Sequence, residues 1–281
     1  MKLNFRNKKR LTIIFLLFVF LSGCNTSGNL PYKVTQADRD SVFVTHIVSD
    51  TLFNSKQSIY ILAFDDHYFK NHRIALAYSG AHLEKTSRMA EQAHAIAAIN
   101  GSFFDEDKGG GVTYVERNDS VLSHSQTTNH KWAKPDSLIN GVLILTKQNR
   151  LKILPAKPEQ YYETSKEEKF AIVSGPLLLR HSIAQKLPNM SFSHKRHPRT
   201  CLCKTNNAVL FIAIDGRTKN AAGMTLPEVQ KFLKSLGCID AINLDGGGST
   251  TMWTREKGVV NHPSDKEGER SVANAILILK K

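Results

Sequence analysis

Seven short apolar runs, six to eight residues each, limit what this chain can fold into. They are "VFVTHIV" (42–48), "SIYILAF" (58–64), "RIALAYS" (73–79), "GVLILT" (141–146), "FAIVSG" (170–175), "AVLFIAID" (208–215) and "VANAILIL" (272–279). Rich in Val, Ile and Phe and shorter than most helices, they read as buried strands. The helical pattern is clear once. Thr225 with Glu228 three residues on forms a capping box, and Val229, Phe232, Leu233 and Leu236 make one apolar stripe before Gly237 stops the turn. A second helix is expected near residues 84–94, just ahead of "AIAAIN" (95–100). Many strands and few helices predict an α+β (mixed α/β) fold. The expected form is one domain over residues 32–281 with a large, mostly antiparallel or mixed β-sheet core.

The first 23 residues stand apart. Lys2, Arg6, Lys8, Lys9 and Arg10 precede an apolar run from Leu11 to Leu21, and Leu21-Ser22-Gly23-Cys24 follows. A basic start, a short greasy core and a small-residue exit mark a secretory signal. Its ending resembles a bacterial lipobox, so Cys24 is expected to carry lipid and residues 24–31 to form a flexible tether. An uncleaved anchor is the alternative. Both tether the domain to a membrane outside the cytoplasm, and the lipobox reading makes it lipid-anchored in a bacterial envelope, at the outer membrane or in the periplasm. Removing the signal's five charges from the formal +13 leaves +8, a surface suited to an anionic partner. No zinc finger, RNP motif or long basic tract is present, so nucleic acid is not expected. Of the remaining cysteines, Cys201 and Cys203 share a strand face and are poorly placed to pair; the expectation is buried small apolar residues, with a bridge from Cys238 to one of them as the alternative in an oxidising compartment.

Polar clusters close the apolar runs. In "AINLDGGGSTTMW" (241–253) an acid, Asp245, is followed at once by Gly246, Gly247 and Gly248, then Ser249 and Thr250. Successive glycines can turn their N–H groups inward to bind an anion, and the hydroxyls add donors. An acid beside such a nest makes chemical sense if it acts on the bond next to the anion. The spacing is neither a P-loop nor a Rossmann fingerprint. Asn100, Gly101, Phe103 and Phe104 lie in "AINGSFFD" (98–105), an amide and an aromatic pair of the kind that face sugars. Arg199 in "HPRT" (197–200) and Arg217 in "IDGR" (214–217) could grip phosphate bidentately, and Asp215 closes a very apolar strand. Glu269 and Arg270 precede the last strand, with an ion pair between them as the bland reading.

Taken in order, "AINGSFFD", "SGPLLL" (174–179), "HPRT", "IDGR", "GMTLPEVQKFLKSLGCIDAINLDGGGSTTM" and "ERSVANAI" (269–276) resemble the phosphodiester glycosidase domain family. That family includes the mannose-6-phosphate uncovering enzyme, an N-acetylglucosamine-1-phosphodiester alpha-N-acetylglucosaminidase. The likeness spans roughly residues 95–281, and its most specific part is the Asn-Leu-Asp-Gly-Gly-Gly-Ser block. Cys201 and Cys203 stand where the pattern has small or apolar residues. The resemblance implies a hydrolase of a sugar-1-phosphodiester or related glycosidic bond in an anionic glycan. A phosphate leaving group needs little protonation, so positive charge and N–H donors can stabilise its departure. On this reading Arg199, Arg217 and the Gly246–Gly248 amides hold phosphate, Asn100 and Asn243 hold sugar hydroxyls, and Asp245 and Asp215 share the carboxylate chemistry. No cofactor is expected, although a divalent cation such as calcium would suit the aspartate oxygens. Two rivals stand beside this one: a non-catalytic glycan-binding lipoprotein using Phe103, Phe104, Trp132 and Trp253, and a hydrolase of a wall polymer or exopolysaccharide without phosphate.

Overall fold

The computed structural model describes residues 42–126 and 129–281. The expected signal, Cys24 and the tether lie outside the described residues. All seven apolar runs are strands, and every strand pairing among the described residues is antiparallel. The fold is therefore α+β with few helices, as the sequence predicts.

Three larger sheets enclose one core. A seven-stranded sheet holds Val44–Ser49, Gln57–Asp65, Ala208–Ile214, Arg199–Lys204, Asp240–Asn243, Leu177–Arg180 and Ile183–Ala184, in that lateral order. A five-stranded sheet is built around Glu168–Ser174 and Gly141–Thr146, and another around Ala97–Asn100 and Asn274–Lys280. The main apolar cluster draws on all three: Leu62, Phe64, Leu202 and Phe211 from the first, Leu143, Ile153 and Ile172 from the second, Ile74, Ile99 and Ile276 from the third. Strand alternation explains the sharing. Tyr60, Leu62 and Phe64 turn into this core, while Ile59 and Ile61 turn to the opposite face of their strand.

Those outer faces need cover, and the short helices supply it. Helices α1 (Thr86–Gln92), α2 (Glu159–Thr164), α3 (Ser191–His194) and α4 (Leu226–Ser235) follow in chain order. Helix α4 buries Leu226, Val229, Phe232 and Leu233 against the seven-stranded sheet. Its Thr225–Glu228 capping box forms in both directions. Helix α1, in the stretch expected from sequence, packs Met89 and Ala90 beneath the third sheet, and Tyr162 of α2 covers the second. Cys203 bridges to Cys238, and Cys201 stays reduced and buried.

Candidate active site

The motif-bearing strand ends meet at one end of this three-sided core. Strand Asp240–Asn243 runs beside Arg199–Lys204, with Asn243 opposite Cys201, and Leu244 N donates to Thr200 O. The next residue, Asp245, crosses to the third sheet: its N–H donates to Gly101 O at 2.9 Å. Asn100 fixes the crossing. Its Nδ2 donates to Asp245 O at 2.7 Å, while its Oδ1 accepts from Thr200 Oγ1 and Thr251 N. Gly101 must be glycine for lack of room, since a Cβ there would lie 1.9 Å from Asn274 Oδ1. Asn100 and Gly101 are thus parts of the frame that hangs Asp245, and Asn100 is fully buried.

The three glycines do something other than expose their amides. Gly246 N–H donates to Asp245 Oδ1 at 3.0 Å, and Gly247 N–H donates to Pro198 O at 3.0 Å. Two of the three groups of the expected anion nest are therefore already engaged. What the absence of side chains provides is space. A Cβ on Gly247, which also has a φ of 62°, would sit 3.1 Å from Arg217 Nη2. A Cβ on Gly248 would run into Asp265 Oδ1 and Arg270 Nη2. The glycine stretch is a seat for two arginine side chains beside a carboxylate.

Asp245 is partly reachable by solvent along its surface, yet its carboxyl sits deep among protein atoms. Burial pushes that carboxyl up to about 6, against the opposing pull of Ser249 and the charges of Lys134 and Arg270; Glu106 adds to the rise. The Ser249 hydroxyl is close but outside well-formed hydrogen-bond geometry. Arg270 is fastened by Nε to Asp265 Oδ2 at 2.6 Å and by Nη1 to Glu106 Oε1 at 2.7 Å. Burial works against its charge, but Asp265, Glu106 and Asp245 outweigh that and raise its pKa. Arg217 is exposed, has no carboxylate partner among the described residues, and meets His197 Nδ1 at 3.3 Å. Burial, with Arg199, Arg217 and Lys195, lowers the His197 pKa, so its ring is neutral near pH 7.

Comparison with known proteins now fixes the kinship. The model of the phosphodiester glycosidase family matches residues 93–279. The chain belongs to the phosphodiester glycosidase family. Among solved structures, the catalytic domain of zebrafish N-acetylglucosamine-1-phosphodiester alpha-N-acetylglucosaminidase, auto-inhibited by its pro-peptide, superposes with a TM-score of 0.67 at 20% identity. That match covers 86% of this chain and 83% of the other. A hypothetical protein from Synechocystis gives a TM-score of 0.59 at 14% identity, over 86% of this chain and 62% of that one. An uncharacterized prophage-derived protein of Bacillus subtilis is 34% identical over 84 residues; the match takes in 30% of this chain and only 13% of that protein.

Within this phosphodiester glycosidase domain, several expected site residues sit elsewhere than anticipated. Arg199 is completely buried: Nε donates to Met224 O, Nη2 to Phe192 O and Lys195 O, and the guanidinium lies over the Phe192 ring. Burial pushes it down to about 10. It ties α3 to the approach of α4, and its Nη1 is buried without a hydrogen-bond partner among the described residues. Phe103 and Phe104 belong to two separate apolar clusters instead of a sugar platform, and Trp253 is core as well. Asn243 is buried, with Nδ2 on Gly175 O and Leu244 O and its Oδ1 unpaired. Ser249 Oγ and Thr250 Oγ1 are buried without protein partners too.

Asp215 forms a second polar centre. It accepts from Ser58 Oγ, Asn261 Nδ2 and His262 N, with His262 Nδ1 3.4 Å away. No hydrogen bond joins Asp215 or these partners to the Asp245 carboxyl among the described residues. Among the described residues the His, Asp and Glu side chains close enough to share one ion are His124, Glu159 and Glu163.

Beside Trp132, already a stacking candidate from sequence, stand residues that pattern reading passed over: Glu106 and Asp107 on one loop, His130 and Lys134 on the loop of Trp132, Asp265 on a third. Lys134 Nζ lies over the Phe103 and Trp132 rings, Trp132 Nε1 donates to Asp107 Oδ2, and His130 meets Asp105 at 3.2 Å. Their only sequence signal is loop placement between strands, which many solvated charges share. Glu269 and Arg270 do not pair with each other: Glu269 caps α1 through Ser87 N and Oγ, and Arg270 faces the recess.

Proposed function

We propose that this chain hydrolyses a sugar-1-phosphodiester in an anionic glycan of the bacterial envelope, with ionised Asp245 as the group that activates water or attacks the anomeric carbon. One observation carries the reading: a carboxyl with its pKa raised to about 6 stands between cations seated on the glycine loop. Lys134, Arg217 and Arg270 surround the place where a phosphate would sit. They stabilise it as the bond from C1 to the phosphate oxygen breaks. The phosphate monoester leaves with that oxygen and the sugar keeps the hydroxyl from water. A departing phosphate monoester is a weak base, which accounts for the surplus of cations over proton donors. Glu106 and Asp265 hold Arg270 in place, and Trp132, half-buried at the rim, offers a face to a pyranose ring.

The zebrafish relative, an N-acetylglucosamine-1-phosphodiester alpha-N-acetylglucosaminidase, supports this substrate class. Simple glycan binding has no use for a carboxyl held at that pKa, which ranks a non-catalytic role second. A tether through lipidated Cys24 would hold the domain near envelope polymers. The direct test is incubation with a synthetic N-acetylglucosamine-1-phosphodiester, following free reducing sugar and phosphate monoester. Release by the wild type and none by Asp245→Asn is expected. No release from any sugar-1-phosphodiester, with glycan retained intact, would overturn the proposal.

A further inference from the structure

We infer that the chain carries a second, non-catalytic groove that binds a phosphate-bearing polymer at the end of the molecule opposite Asp245. A cavity of about 680 Å³ is lined by Arg73, Arg150, Lys152, Lys204 and Lys281, with Asp66 as the one carboxylate in its wall. These cations come from four separate places in the fold. Arg73 opens strand His72–Tyr78 and Lys152 lies in Leu151–Pro155. Arg150 stands in the turn before Leu151–Pro155, Lys204 closes Arg199–Lys204, and Lys281 ends the chain. Elements of all three sheets thus converge on one concave basic wall.

None of Arg73, Arg150, Lys152 and Lys204 has an ion-pair partner among the described residues. Lys281 Nζ is anchored on the carbonyls of Phe69 and Lys70, which neutralises none of its charge. What sets these cations apart is that they face a shared concave wall in which Asp66 is the one acidic side chain. Unbalanced like charges facing one another in a groove repel, and a polyanion removes that penalty while releasing counterions. The position along strand Arg199–Lys204 fixes the separation. Leu244 meets Thr200 at one end and Lys204 lines the groove at the other, so four residue steps of strand, about 13 Å, divide the Asp245 loop from the groove. That gap is too long for the groove to touch the bond being cut. It suits a site that holds a distant part of the same chain and raises its local concentration. A concave wall with cations on several sides fits a strand of polymer better than a flat sheet of lipid headgroups.

The inference extends the proposed function to polymeric substrates, and binding without turnover separates the two. Titration of a poly(glycerol phosphate) oligomer into wild-type protein and into Arg73→Glu/Arg150→Glu is the test, both residues being exposed. Calorimetry at two salt concentrations reads the affinity. Salt-sensitive binding by the wild type, weakened at least tenfold in the double variant and unchanged in Asp245→Asn, is the expected result. Turnover of a small synthetic phosphodiester should be the same in the double variant as in the wild type, which also shows that it folds. Equal affinity of both proteins for the oligomer, or no binding at all, overturns the inference. So does variant-sensitive binding to vesicles of anionic phospholipid with none to the oligomer, which would make the groove a membrane-facing surface. Oligomer binding by a protein that cleaves no phosphodiester leaves the groove standing and removes the proposed reaction.

Discussion

Replacing Asp245 by Asn should make the protein more stable near neutral pH while abolishing turnover. In the folded chain burial raises this carboxyl from an ordinary 3.8 to about 6. The native state therefore binds the proton more tightly than the unfolded state does. Below about pH 4 both states are protonated and Asp245 costs nothing relative to a neutral amide. As pH rises through 4 to 6 the unfolded chain ionises first, and stability falls until the native carboxyl ionises too. The difference between 3.8 and about 6 corresponds to about 3 kcal/mol lost by pH 7. Asn keeps the shape and an oxygen for the Gly246 N–H, so Asp245→Asn should recover that amount, a rise in Tm of roughly 6–12 °C for a domain of this size. The assay is urea unfolding of both proteins from pH 4 to 8, paired with turnover at each pH. The stability gap should open from near zero to its full size across that window, with kcat/KM down by roughly 10²–10⁴-fold. A gap that does not change with pH, or a variant that still turns over, would refute the account of Asp245 as a buried, working carboxylate.

The proposed mechanism needs Asp245 ionised, so wild-type kcat/KM should climb with pH and level off above about 6, measured on a small phosphodiester. Arg217→Ala should raise KM for a phosphodiester roughly 10-fold or more with little change in Tm, since the side chain is exposed and unpaired. Arg199→Ala should do the reverse: a loss of roughly 3 kcal/mol in urea unfolding, because three backbone carbonyls lose their donor in a fully buried place. Reducing the Cys203–Cys238 bridge, which closes 35 residues, should cost up to about 4 kcal/mol, read as a lower urea midpoint. Turnover should survive exhaustive chelation, and its loss and recovery with calcium would bring metal into the chemistry.

Much of the frame was written in local pattern. Alternation and length marked the seven strands, and Thr225 with Glu228 marked α4 because a capping box is settled within four residues. The block around Asp245 was legible because an acid, three glycines and two hydroxyls in a row are rare without a use. What the glycines are for was not legible. Whether they bare their own amides or make room for Arg217 and Arg270 depends on residues some 20 to 30 positions away, and spacing does not report clashes. Arg199 misled for a related reason: a buried arginine and a phosphate-gripping one look alike in sequence, and only Met224, Phe192 and Lys195 closing around it decide the matter. Lys134 and Glu106 went unseen because lone charges in loops carry no periodicity.

Asp245 hangs from Gly101 and Asn100 on one side and follows a strand locked to Thr200 on the other, so its backbone is welded to the framework. The loops bearing Glu106, Trp132 and Asp265 carry no such obligation. A lineage can rewrite those loops, and with them the rim around Asp245, without disturbing the carboxyl itself.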